Sequence, residues 1–114
     1  MISRYQLNER MSQIVVHKDQ VLISGQLAPQ PEEDALGQTR DILARIDDLL
    51  EQAGTDKSRV LSANIWVSDM KHFGAMNDAW EDWIDPENPP VRACVQAELM
   101  TPKYLVEIQV SAIK

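Results

Sequence analysis

At 114 residues, 44% apolar and 25% charged, the chain has the make-up of one globular domain; two would leave each half too small to bury a core. A formal charge of −7, with eleven basic residues that never form a run, argues against nucleic acid, whose non-specific binding draws on Lys and Arg neutralising phosphates. A lone cysteine excludes an internal disulfide, no apolar run reaches bilayer length, and Met1–Gln6 lacks the apolar stretch of a signal peptide, so a cytoplasmic protein without membrane contact is expected.

Taken in order, Ile2 to Leu7 is compatible with a short edge strand. Gln13–His17 and Val21–Gly25 are β-rich and flank the polar tripeptide Lys18-Asp19-Gln20, which predicts a hairpin. Gly25 ends the second strand, where the backbone turns or lets something approach closely. Pro29 and Pro31 then delay regular structure. From Glu33 to about Ala53 the period changes: Leu36, Thr39, Ile42, Leu43, Ile46, Leu49, Leu50 and Ala53 recur at three and four, one apolar helix face. Glu32, Glu33 and Asp34 suit its positive end, and Gly54 is a natural stop.

Arg59 to Val67 alternates as a strand, with Leu61, Ala63, Ile65 and Val67 on one face. A second helix is predicted from His72 or Phe73 to Ile84, on the spacing of Phe73, Met76, Trp80, Trp83 and Ile84, with Asp69 upstream as its cap. The aromatic stripe is read as core. Pro86, Pro89 and Pro90 end that helix. Two more alternating segments, Val91–Ala97 and Tyr104–Val110, are joined across a turn at Thr101-Pro102-Lys103.

Strands interrupted by two helices predict an α+β or α/β sheet with parallel crossovers. Sorting strand residues by parity puts Ala93, Val95, Val106, Ile108 and Val110 with Leu61, Ala63, Ile65 and Val67 under the helices. The opposite set holds Asn64, Trp66, Arg92, Cys94, Gln96, Glu107, Gln109 and Ser111. A face of that mixed polarity suits a wet subunit interface, so a homo-oligomer is expected. Arg92 and Glu107 are conspicuous because an unpaired buried charge is costly. Taken alone, they read equally as an ion pair or as solvated edge residues. Cys94 lacks a histidine placed to activate it, and Cys94, His17 and His72 make no metal-ligand spacing, so no metal is expected. Ser24 has no Ser-His-Asp setting.

The chain resembles the RidA/YjgF family of enamine/imine deaminases over nearly its whole length. The similar pieces are Ser12-Gln13, Ile23-Ser24-Gly25-Gln26, Gln38-Thr39, Ile65–Met70, Phe73–Asn77, Pro90–Val95 and Val106-Glu107-Ile108. The most diagnostic is Pro90-x-Arg92-x-Cys94-Val95, with Glu107 fifteen residues after its arginine. The resemblance implies a chorismate-mutase-like α+β fold, a mixed sheet with two helices on one face. It also implies a homotrimer whose sheets close around a central barrel, with a cleft at each subunit interface. The implied reaction is cofactor-free hydrolysis of 2-imino acids and their 2-aminoacrylate-type enamines to 2-keto acids and ammonia.

Carried over by position, Arg92 would hold the substrate carboxylate, a match that a permanently charged, two-pronged guanidinium makes and lysine does not. Glu107 would position the attacking water and shuttle its proton. Ser24 and the backbone of Gly25 would line the pocket. Asn77 would reach it from the adjoining helix or a neighbouring subunit, and Cys94 would contribute mainly backbone. Two departures stand out. Arg10-Met11 replaces a Pro-Tyr pair whose ring helps enclose the ligand, and Glu98 stands where a small or basic residue is usual. The missing ring keeps a non-catalytic carboxylate-binding or chaperone-like protein open as an alternative. RNA cleavage, ascribed to some relatives, is disfavoured by the acidic balance.

Overall fold

The computed structural model describes all residues, 1–114. Its strands are β1 (Ile2–Leu7), β2 (Ser12–His17), β3 (Gln20–Ile23), β4 (Gln26–Leu27), β5 (Val60–Val67), β6 (Val91–Gln96) and β7 (Val106–Ile113). The helices are α1 (Ala35–Gln52) and α2 (Phe73–Trp83). The fold is a mixed α+β sheet in the order β1-β2-β3-β7-β5-β6, with β4 also pairing β7. Among paired strands only β5 and β6 run parallel, with α2 as the crossover between them. β3 and β5, both antiparallel to β7, also share a direction, and α1 crosses between them.

Local chemistry explains where each element begins and ends. The β2–β3 hairpin pairs His17 with Gln20, and Lys18 adopts a positive φ of 56° in the tight turn. Asp34 caps α1 by accepting a hydrogen bond from the Gly37 amide. At the other end Gly54 takes φ +85°, and the amides of Gly54 and Thr55 donate to the carbonyls of Glu51 and Leu50, a Schellman stop. Asp69 does not cap α2, contrary to expectation. It accepts from the Lys71 amide and caps a short 3-10 turn, Met70–His72, that precedes the helix.

Both helices lie on one side of the sheet and share one core with it. Ile42, Leu43, Ile46, Leu49 and Leu50 of α1 and Met76, Trp80 and Trp83 of α2 pack against Ile14, Val21, Ile23, Ala63, Ile65, Val67, Val106, Ile108 and Val110. The shortest principal extent is 20 Å, as expected for one helix layer on one sheet.

Three inward assignments made by alternation fail. Leu61 is exposed and Val60 is buried in its place, because a bulge between Val60 and Ser62 shifts the phase of β5 against β7. Ala93 and Val95 are exposed as well. In the β5–β6 register Ala63 pairs with Arg92, Ile65 with Cys94 and Val67 with Gln96. Residues so paired share a face, so Arg92, Cys94 and Gln96 turn toward the helices, and Ala93 and Val95 turn away. β4 was not anticipated at all; Ser24-Gly25 interrupts a strand that resumes at Gln26.

Candidate functional site

Arg92 is the second residue of β6, an edge strand paired only on its β5 side. Its guanidinium carbon lies 5.5 Å from the centre of the Trp80 ring, and Nη1 lies 3.9 Å from the Met76 sulfur. Neither contact is an anion, and the residue is exposed, so its charge is held by a π face and a thioether and is still free to bind a carboxylate. Cys94 follows on the same face, half-buried. Burial raises its thiol pKa, with Arg92 opposing in part, so it stays a thiol at neutral pH. Asn77 follows Met76 on α2 and is half-buried, which puts it on the element that supports Arg92.

Glu107 belongs to a different part of the molecule. It sits in β7 between the fully buried Val106 and Ile108, opposite Trp66 of β5 and Leu27 of β4, on the face the helices leave uncovered. Burial raises its carboxyl pKa. Gly25 lies directly against it. A β-carbon at that position would meet the end of the Glu107 side chain and push the carboxylate aside, so glycine lets the backbone lie beside the acid where it stands.

Ser24 precedes that glycine in the interruption between β3 and β4. Its hydroxyl lies 2.5 Å from Gln13 Oε1 and 2.9 Å from Gln26 Nε2. Gln26 is buried and its Oε1 accepts from Arg45 Nε of α1 at 2.7 Å. Gln13 and Gln26 occur in the family-like segments, yet spacing assigns them no role. Gln26 takes an inward position of β4, whereas Gln13 has the opposite parity to the buried Ile14 and Val16 of β2. Trp80 and Met76 belong to the core, as their helical spacing predicts; their second surface, under Arg92, depends on the β5–β6 register.

The structure therefore does not bring Arg92 and Glu107 together within one chain. Arg92 stands level with Ala63 and Glu107 level with Trp66, on opposite faces of the sheet and two strands apart. Strand rise and spacing put their Cα atoms about 14 Å apart. The largest hollow, about 700 Å³, is lined by the loop from Gln96 to Pro102 and by Ser68, and it touches neither residue. No group of three or more His, Cys, Asp or Glu side chains is placed to hold a metal ion, and no helix is long and apolar enough to cross a membrane.

A family model described as Endoribonuclease L-PSP matches residues 1–114. The chain belongs to the RidA/YjgF family, in which the names L-PSP and RutC are also used. It is 41% identical over 111 residues to the RutC family protein YoaB of Escherichia coli, covering 97% of this chain and 96% of that one. A YjgF family member from Neisseria meningitidis superimposes with a TM-score of 0.97 at 37% identity, covering 100% of this chain and 95% of that one. An uncharacterized protein from Pseudomonas aeruginosa does so with a TM-score of 0.97 at 36% identity, covering 100% and 99% respectively. The family assignment supports the resemblance read from the sequence, and with it the α+β architecture.

Proposed function

We propose that the protein hydrolyses 2-imino acids and their enamine tautomers to 2-keto acids and ammonia, at clefts formed between subunits of a homotrimer and without a cofactor. The observation that carries this reading is the exposed Arg92 guanidinium, free of any anionic partner, on an edge strand. An edge strand has unmet backbone groups that invite a neighbour. Because Glu107 lies on the other face of its own sheet, a site using both residues has to join Arg92 of one copy to Glu107 of another. The uncovered face offers exposed Leu22, Leu61, Val91 and Val95 for such contact.

In this site Arg92 binds the substrate carboxylate through paired charge-assisted hydrogen bonds. Glu107 orients a water toward C2 of the iminium and takes its proton as the C–O bond forms. It then passes that proton to the nitrogen and takes up the remaining hydroxyl proton as the C–N bond breaks, the carbonyl forms and ammonia leaves. Its raised pKa suits a group that must both take and return a proton near neutrality. Gly25 keeps the water's approach to the acid open, and Asn77 and the Cys94 backbone border the carboxylate end. The net charge of −7 disfavours RNA as substrate.

The test is subunit complementation. Arg92→Ala and Glu107→Ala assemblies are each assayed for ammonia release from 2-aminoacrylate generated by a dehydratase, then mixed, exchanged and assayed again. Each alone is expected to be inactive. Random mixing leaves about a quarter of the interfaces with both residues intact, so about a quarter of wild-type activity returns. No recovery after verified exchange sinks the shared site. A wild type that turns over no faster than Glu107→Ala favours the carboxylate-binding reading, for which Met11 in place of the family's tyrosine is the motive.

A further inference from the structure

The hydrogen bonds around Ser24 have a forced direction. A guanidinium can only donate, so Arg45 Nε, 2.7 Å from Gln26 Oε1, fixes which way the Gln26 amide points. Its Nε2 then faces Gln13 Oε1 and Ser24 Oγ, each at 2.9 Å, and the Ser24 carbonyl at 3.1 Å. Gln13 has to present oxygen there, since its amide nitrogen would meet another NH₂ group. That oxygen cannot donate. The Ser24 hydroxyl, 2.5 Å from it, therefore gives it its only proton and keeps its lone pairs as acceptors, one of them within reach of the two N–H bonds that Gln26 shares among three oxygens. One lone pair on Ser24 is left, and no proton. Gln26, at the centre of the network, is almost fully buried, while Gln13 and Ser24 are half-buried and Arg45 is exposed.

We propose that Arg45 and Gln26 are positioning residues which lock the Ser24 hydroxyl as a hydrogen-bond acceptor, so that the site selects ligands carrying an N–H beside the carboxylate. The inference rests on the hydrolase reading for its substrate. A protonated 2-imino acid presents an N–H to the remaining lone pair. The 2-keto product presents a carbonyl oxygen there, two acceptors face to face, and is disfavoured. Ser24 adjoins Gly25, which lies against Glu107, so the nitrogen is held beside the group that must protonate it. Arg45 touches no substrate and acts only through the two glutamines.

Arg45→Met keeps the length of the side chain and removes the donor, freeing the Gln26 amide to flip. Arg45→Lys restores a group that only donates. In wild type the pyruvate inhibition constant should exceed the KM for the corresponding imino acid. In Arg45→Met that ratio should fall about fivefold, the weight of one neutral hydrogen bond, with kcat changing less than KM. Arg45→Lys should recover most of it. Independently of turnover, the Gln26 side-chain amide protons should exchange slowly in wild type and Arg45→Lys and quickly in Arg45→Met by NMR. Unchanged amide exchange in Arg45→Met, or an unchanged ratio, overturns the proposal. If wild type shows no turnover, the hydrolase reading fails by itself. The lock is then judged by the NMR arm and by calorimetry: alanine should bind in preference to pyruvate, and Arg45→Met should erase the preference.

Discussion

Gln38 offers the sharpest test of how the structure holds its loops. The residue lies in α1 with no exposure to solvent, and its amide is fully used. The two N–H bonds of Nε2 are shared among the carbonyls of Pro31, Glu33 and Lys103, each at 3.0 Å, and Oε1 accepts from the Leu105 amide at 2.9 Å. Two of these bonds reach 65 and 67 residues along the chain and pin the loop that enters β7 two residues before Glu107. Gln38→Met preserves the volume but strands the Leu105 N–H and the three carbonyls. Leaving a buried donor unmet costs about 1–3 kcal/mol, and with the carbonyls the total should be about 3 kcal/mol. An unfolding entropy of about 2.1 cal/mol/K per residue makes that a drop of roughly 12 °C in Tm. Thermal melts at matched protein concentration measure it, and amide exchange at Leu105 should accelerate. Gln38→Glu keeps the acceptor for Leu105 but turns a carboxylate oxygen toward three carbonyls. It should be worse than Gln38→Met at pH 7. The burial raises that carboxyl's folded pKa, so its stability is present at low pH and lost as pH rises, and the gap should close on acidification. A loss under about 4 °C for Gln38→Met, or a gap between the two variants that ignores pH, refutes the reasoning.

Burial makes the folded chain hold the Glu107 proton more tightly than the unfolded chain does, so its contribution to stability is full at low pH and is lost as pH rises through the folded pKa. Glu107→Gln should therefore melt at or above wild type at pH 7 while ammonia release slows by about 100-fold or more; a lower Tm with normal rate contradicts both halves. Gly25→Ala sets a methyl group against the Glu107 carboxylate and should cost about 100-fold in turnover by displacing it, read by steady-state kinetics; a wild-type rate rules out the close approach. Trp80→Phe keeps an aromatic face under Arg92 and Trp80→Leu removes it, so calorimetric affinity for pyruvate should fall in that order, by about two- to fivefold for leucine. Equal affinity in both variants means that the ring does not support the guanidinium.

Elements with a strong local period were legible. The apolar spacing in α1 and α2 follows from 3.6 residues per turn, and the glycine that stops α1 adopts the left-handed φ that only its lack of a β-carbon makes cheap. The hairpin and the crossover between β5 and β6 were readable as well, while the edge strand Ile2–Leu7 carried only a weak pattern. The Asp69 cap was assigned to the wrong element, because a 3-10 turn and a helix begin with the same side-chain chemistry. The stranded pair β3 and β4 was not separable, since Ser24-Gly25 reads alike as a strand end and as an interruption.

The sequence by itself determined which residues alternate along each strand, because successive side chains on a pleated backbone must point to opposite faces. It also marked Arg92 and Glu107 as charges in apolar surroundings. Only the tertiary structure decided which face each strand's two sets occupy, because that phase is carried by inter-strand register. The bulge at Leu61 displaces only the start of β5, whereas the pairing of Ala63 with Arg92 reverses the phase of β6. That reversal parts the cation from the acid within a chain, and it sets Arg92 on Trp80 and Glu107 under Gly25.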